Sequence, residues 1–207
     1  MPSDRKNDSL YLTRRAFGAG LAAGTGFLAF ALPVQALTVD QARALIDKAI
    51  SEVNATINSG KTEQQMYGDF ERIFLTYADV PTIARSALGV ASKSASAAQM
   101  QAFTTAYTGY LSRKYGRRFR EFIGGKIEVT DARPYKSYYE VISTATLQGE
   151  APFDLRWWVG DKSGRQLFFN IIIEGVNMLG SERTEVGSLL DKNGGNIDKL
   201  IAELKVS

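Results

Sequence analysis

The spacing of apolar residues changes once along this chain, near Gly124, and that change limits the folds it can adopt. Before Gly124, apolar residues recur every three or four positions, which is the period of a helix with one buried face. After it, apolar and polar residues alternate and β-branched and aromatic residues become frequent, as in strands. No low-complexity linker separates the two parts. The sequence therefore predicts one α+β domain, with helices first and strands after them.

Short motifs predict where the helices begin. A capping box places Ser or Thr at the N-cap and Gln or Glu three residues later, and the two side chains satisfy backbone N–H groups of the first turn. Asp79, followed by Pro81, predicts a short helix that ends at Gly89. The apolar stripe of the longest helix continues to Gly124. Three capping boxes are present: Thr38 with Gln41, Thr62 with Gln65, and Ser96 with Gln99.

The second half of the chain predicts an antiparallel meander, because short turns rich in Gly, Pro and Asp separate the strands. Four strands are expected, over residues 126–133, 136–147, 153–159 and 166–173. Two helices, over residues 182–192 and 197–204, are expected after them.

Alternate residues of the third and fourth strands form an apolar face that we expect to meet the helices. Phe168 and Ile172 make the other side of the fourth strand apolar too, so this strand is expected to be central or specially covered. The residues assigned to the helix-facing side are Phe153, Leu155, Trp157, Val159, Leu167, Phe169, Ile171 and Ile173.

The first 36 residues are typical of a cleaved twin-arginine signal peptide. Arg14 and Arg15 precede an uncharged, Gly-rich run over residues 16–32, and small residues before Ala36 suit a signal peptidase. An uncleaved anchor is the alternative, but so short and Gly-rich a run spans a bilayer poorly. We therefore expect export to the periplasm, no stable membrane span, and a single mature domain over residues 37–207.

Removing that leader brings the net charge of the chain close to zero. The whole sequence has 25 basic and 22 acidic residues, and residues 1–36 hold four of the basic and two of the acidic ones. A net charge close to zero gives no general attraction to nucleic acid, so we expect no nucleic-acid partner.

The composition excludes most catalytic chemistry. There is no His and no Cys, which removes the common triads, cysteine nucleophiles and the usual metal sites. Carboxylates near the strands leave an enzyme with a carboxylate pair as an alternative, although the simpler interpretation is that they face solvent. These carboxylates are Glu140, Glu150, Asp154, Asp161 and Glu174. We predict that the protein is not an enzyme and needs no metal or cofactor.

A basic cluster lies on the last turns of the longest helix. It comprises Arg113, Lys114, Arg117, Arg118 and Arg120. Helical spacing places Arg113, Arg117 and Arg120 on one side, where they would contact anionic lipid head groups or an acidic partner. An ordinary solvated face fits the same spacing equally well.

Several segments resemble the MlaC family, the periplasmic phospholipid-binding component of an ABC lipid transport system, first described through toluene tolerance. The most specific is Ile173-Glu174-Gly175-Val176-Asn177-Met178, which is similar to the family's V-E-G-V-S-L block. The others, in similar order and spacing, are Phe74, Asp79, Ala84, Leu88-Gly89, Gln99, Phe103, Leu111, Tyr115, Arg183, Leu189-Leu190, Gly194-Gly195, Leu200 and Leu204.

The resemblance implies a fold and a function. The fold would be an antiparallel sheet with helices across its concave face, similar to an NTF2-like cone, enclosing an apolar pocket for acyl chains. The function would be to carry phospholipid, as a monomer, between an outer-membrane lipoprotein complex and an inner-membrane ABC transporter with an MCE-domain ring. Such transport maintains the lipid asymmetry of the outer membrane.

The residues expected to line the pocket follow from the facing of the elements. Glu174 and Arg183 are expected instead to hold the loop after the last strand. A filled core would use the same apolar residues, so a periplasmic adaptor without a ligand stays an alternative, as does a carrier of another apolar lipid such as a hopanoid. The expected lining residues are Phe103, Tyr107, Leu111, Phe153, Leu155, Trp157, Phe169, Ile171 and Ile173.

Overall fold

The structure, a computed structural model, describes residues 37–116 and 122–207. The predicted leader, residues 1–36, lies outside the described residues. The helices are α1 (Val39–Ile57), α2 (Glu63–Tyr77), α3 (Val80–Leu88), α4 (Ala97–Gly116), α5 (Met178–Lys192) and α6 (Ile197–Val206), with a short 3-10 helix over Gly89–Lys93. The strands are β1 (Lys126–Tyr135), β2 (Tyr138–Thr146), β3 (Phe153–Gly160), β4 (Leu167–Ile173) and β5 (Val176–Asn177).

The helices of the first half begin where their capping motifs predict. Thr38 and Thr62 each accept a hydrogen bond from the backbone N–H three residues later and complete a capping box. Ser96 forms the same arrangement with Gln99 ahead of α4. Asp79 accepts from the backbone N–H of Thr82 and caps α3. The longest helix is described as far as Gly116, and residues 117–121 lie outside the described part. Its predicted continuation to Gly124 is wrong for residues 122–124, which form a tight turn in which the backbone N–H of Gly125 donates to the carbonyl of Phe122.

The sheet is an antiparallel meander in which the strands pair in chain order, as predicted. Two details differ from the sequence-based expectation. A fifth strand of two residues, β5, pairs with the end of β4. Helix α5 begins at Met178 rather than near residue 182, because the side chain of Asn177 accepts from the backbone N–H of Gly180 and caps it.

Helix α1 covers the β1 edge of the sheet. The side-chain amide of Asn54 donates to the carbonyl of Ile127 and accepts from its N–H, at 3.0 and 3.3 Å. A guanidinium nitrogen of Arg43 donates to the carbonyl of Val129 at 3.2 Å. These bonds satisfy backbone groups that an edge strand would otherwise leave open to another chain.

The other side of the sheet is closed by β5 and by the start of α3. The backbone N–H of Asp79 donates to the carbonyl of Phe168 at 2.7 Å. The register of β3 and β4 shifts between Trp158 and Val159, so that Phe168 pairs with Val159 while Ile171 pairs with Trp157. Phe168 thus lies on the helix-facing side, contrary to the strict alternation expected from the sequence.

Candidate functional site

An apolar cavity of about 580 Å³ lies between the helices and the sheet. Its wall combines side chains from α1, α2, α4 and α5 with side chains from the strands. The helical contributors are mainly aliphatic and aromatic: Ala49, Ile50 and Val53 of α1, Phe70, Ile73 and Phe74 of α2, and Tyr107, Leu111 and Tyr115 of α4. A space of this size and chemistry suits an apolar ligand.

Eight of the nine residues expected to line a pocket do line this cavity. They are Tyr107, Leu111, Phe153, Leu155, Trp157, Phe169, Ile171 and Ile173. Phe103 lies outside the lining: it is completely buried, and its ring stacks on that of Tyr107 with centroids 5.4 Å apart. One helical turn separates the two residues, so Phe103 supports a lining residue from behind.

The sequence-based list missed residues from α1, α2 and α5 as well as Phe168. The apolar stripe of α2 is visible in the sequence, but a stripe does not show whether it meets a cavity or packed side chains. No sequence pattern predicts that Phe168 faces the helices, because only the register shift between β3 and β4 turns its side chain to that side. Its ring contacts those of Trp157 and Phe74, with centroids 5.3 and 6.2 Å apart.

Trp157 is held by a hydrogen bond in the wall of the cavity. Its indole nitrogen donates to Oγ of Ser143 on the neighbouring strand at 3.0 Å, and both side chains are buried. The bond satisfies the one polar atom of a large ring that otherwise contributes apolar surface.

Exposed lining residues mark the mouth of the cavity. Val176 is 54% exposed, and Glu150, Glu174 and Ser181 are also exposed. The β4–β5 turn at this mouth has positive φ at Glu174 (48°) and Gly175 (80°), as a tight two-residue hairpin turn requires. The mouth therefore lies beside the β4–β5 hairpin and the first turn of α5.

One part of the wall is polar and links α4 to α5. We call it the Glu182 cluster: Tyr107, Tyr110, Lys114, Tyr115, Glu182 and Glu185. Glu182 accepts from Tyr107 at 3.2 Å, from Lys114 at 2.7 Å and from Tyr115, and its side chain is only 5% exposed. Glu185 accepts from Tyr110 and Lys114.

The surroundings shift the pKa values of two groups in this cluster, Tyr107 and Glu185. Burial, with the nearby carboxylate of Glu182, raises the pKa of Tyr107, so its hydroxyl keeps its proton. Burial acts to raise the pKa of Glu185, but hydrogen bonds from Lys114 and Tyr110 outweigh it and lower that pKa below 4.5. Glu185 is therefore ionised at neutral pH.

The carboxylates considered for catalysis are spread over the fold. Glu140 is buried rather than solvent-facing and accepts two bonds from Arg133, while Asp161 accepts from the backbone N–H of Leu37. Glu150 and Glu174 line the mouth of the cavity, and Asp154 is exposed. Within the described ranges, no three acidic side chains are grouped so as to hold a metal ion.

Arg113 and Arg183, for which other roles were predicted from the sequence, both bind structural partners. Arg113 donates to the carbonyls of Leu204 and Ser207 at the end of α6, at 2.6 and 2.7 Å. Arg183 donates to the carbonyl and hydroxyl of Ser86, and so joins α5 to α3 instead of holding the loop after the last strand.

Arg117 and Arg120 lie outside the described residues. The role predicted for Arg113, Arg117 and Arg120 in contacting a head group or a partner stays a prediction.

Helices of the described segments are too short or too polar to cross a bilayer. The described residues thus form an apolar cavity with an open mouth, the Glu182 cluster between α4 and α5, and an antiparallel sheet behind the cavity. Both the fold class and the sheet order agree with the sequence-based expectation.

Comparison with known proteins identifies this arrangement. A solved structure of similar fold is that of the phospholipid-binding protein from Ralstonia solanacearum in complex with a phospholipid. Its TM-score is 0.66 at 20% sequence identity, and the match covers 79% of this chain and 98% of that chain. At this identity the likeness concerns the fold alone. The family model of the MlaC protein matches residues 43–206. The resemblance seen in the sequence is thus confirmed, and the chain belongs to the MlaC family.

Proposed function

We propose that this protein is a periplasmic phospholipid carrier that holds acyl chains in the cavity between its helices and its sheet. The observation that carries the proposal is the apolar cavity of about 580 Å³, open at one end and lined from both layers. The similar fold from Ralstonia solanacearum holds a phospholipid, which supports the same class of ligand here. Membership of the MlaC family confirms the prediction that this protein is not an enzyme.

The physical basis of carriage is the burial of acyl chains. Each methylene moved from water into an apolar environment gains about 0.8 kcal/mol, so a chain of ordinary length is held firmly without chemistry. We expect the contacts to come from Tyr107, Leu111, Phe153, Leu155, Trp157, Phe169, Ile171 and Ile173, with Phe168 and the α2 residues added by the structure. The head group stays at the mouth.

The wider role follows from the family. The carrier would take phospholipid between an outer-membrane lipoprotein complex and an inner-membrane ABC transporter with an MCE-domain ring, and so maintain outer-membrane lipid asymmetry. It would act as a monomer after twin-arginine export and cleavage behind Ala36. Release requires a partner that offers the acyl chains equal burial or opens the cavity.

The test is native mass spectrometry of the full chain, exported and purified from the periplasm, followed by organic extraction and lipid analysis. We expect stoichiometric phospholipid. Ala49→Phe places a ring in the cavity from α1 and should abolish co-purification while the protein stays folded. Val90→Phe enlarges an exposed side chain away from the cavity and should leave it unchanged. A bare mass, with no binding of added phospholipid, would overturn the proposal in favour of an adaptor without a ligand.

A further inference from the structure

The Glu182 cluster joins two helices across the cavity wall by hydrogen bonds and ion pairs. Its hydrogen-bond donors all come from α4 and its two acceptors both come from α5. Three of its members, Tyr107, Tyr115 and Glu182, line the cavity. The bonds between α4 and α5 are therefore also bonds across the wall of the proposed lipid site.

The cluster lies next to the mouth. Ser181, the residue before Glu182, is exposed and lines the cavity, as does Val176 just ahead of α5. Lys114 is 26% exposed and Glu185 is 39% exposed, so the ionic part of the cluster already reaches water. Glu182, by contrast, is buried beside the apolar space.

Opening the wall at the Glu182 cluster would break polar contacts that water can replace. Parting the apolar walls would expose hydrocarbon surface to water, which is unfavourable in proportion to its area. Parting α4 from α5 at the cluster exchanges hydrogen bonds and ion pairs for bonds to water, so the net loss per bond is only part of the strength of that bond in isolation. The cluster also has one ammonium for two carboxylates, so Lys114 holds together groups that repel each other without it.

We propose that the Glu182 cluster is the latch of the cavity: lipid enters and leaves when the bonds from Lys114 and the tyrosines of α4 to Glu182 and Glu185 of α5 break. This inference rests on the proposed function and adds the place where the wall opens. Glu182 and Lys114 are positioning residues in this scheme, because they set the rate of exchange without holding the acyl chains.

A pair of variants tests the electrostatic part. Lys114→Met leaves Glu182 and Glu185 facing each other and should release a fluorescent phospholipid about tenfold faster, the equivalent of about 1.4 kcal/mol. Lys192→Met is the matched control, since Lys192 at the end of α5 pairs with Glu203 of α6, and neither of these two residues lines the cavity. It should leave release unchanged. Equal release from the two variants would contradict the latch.

Cross-linking separates a latch from a merely structural contact. The chain has no cysteine, so the thiols of a K114C/E182C double variant are the only ones that react. Joining them with a short bismaleimide should retain bound phospholipid and slow its exchange at least tenfold relative to the same variant capped with N-ethylmaleimide. A K192C/E203C cross-link between α5 and α6 serves as the control and should leave exchange unaltered.

The outcomes distinguish this inference from the function on which it rests. Phospholipid bound by every form, but exchanging equally fast with and without the K114C/E182C cross-link, would overturn the latch alone. Equal slowing by the control cross-link would overturn it too, because the effect would then be general stiffening of α5. No phospholipid bound by the unmodified chain would overturn the proposed function and the latch together.

Discussion

The indole nitrogen of Trp157 lies 3.0 Å from Oγ of Ser143, and the bond crosses from β3 to β2 in the wall of the cavity. Both side chains are buried. The bond therefore keeps the largest ring of the wall in one orientation.

Ser143→Ala should lower the free energy of unfolding by about 1 to 3 kcal/mol, because the buried indole N–H loses its acceptor. Urea denaturation followed by circular dichroism measures the change. Ser188→Ala, on the exposed face of α5, removes a hydroxyl bonded only within its own helix and should cost nothing. A wild-type midpoint for Ser143→Ala would mean that the ring finds another acceptor.

Asn177 has two structural functions at the start of α5. Its side-chain oxygen accepts from the backbone N–H of Gly180 and from the side-chain amide of buried Asn170, both at 3.1 Å. Asn177→Ala should therefore cost about 2 kcal/mol in unfolding free energy, the sum of a cap and a buried hydrogen bond. Asn196→Ala removes only the cap of α6 and should cost about 1 kcal/mol. Equal losses in urea titrations would show that the Asn170 bond contributes nothing.

The hairpin turn at the cavity mouth is strained at Glu174, a side-chain-bearing residue with φ of 48°. Asn tolerates this conformation better than Glu, so Glu174→Asn should raise the thermal midpoint, with a gain of about 0.5 to 1 kcal/mol. Gly175→Ala, at φ of 80°, should lower it. Differential scanning calorimetry compares the two, and a loss of stability in Glu174→Asn would mean that the Glu side chain contributes more than the strain removes.

Stability should depend on pH through Glu185. Its pKa is lower in the folded protein than the ordinary 4.5, so its contribution is complete above 4.5 and is lost as the pH falls through the folded pKa. The loss is at most about 1 kcal/mol, since the Lys114–Glu185 pair is partly exposed. Glu185→Gln should show a shallower decline in unfolding free energy between pH 5 and pH 3, roughly the range in which acidic groups titrate. If the unfolding free energy of Glu185→Gln declined as steeply as that of the wild type, the acid sensitivity would come from other carboxylates.

Much of the fold was predictable because its determinants are local. A capping box such as Thr38 with Gln41 acts within one turn, and it defines the helix start wherever the helix later packs. Alternation and short turns likewise predict hairpins, so the order of β1 to β4 followed from the chain. Part of the cavity lining was also predictable, since Leu155 and Ile173 must face the helices once the strands pair.

The remaining features depend on contacts between distant segments. The alternation of β4 assigned Phe168 to the wrong side, because a register shift against Val159 turns it inward. Phe103 and Tyr107 lie one turn apart on the same face of α4, yet only Tyr107 lines the cavity. The positions of α5 and the sheet determine which turn of α4 borders the cavity.

The main elements, their order and their apolar faces were predictable from the chain, because local hydrogen bonds and periodicity suffice for these. That the faces enclose a cavity and that Lys114 joins Glu182 could be seen only in the folded protein, because volume and charge pairing depend on residues far apart in the chain.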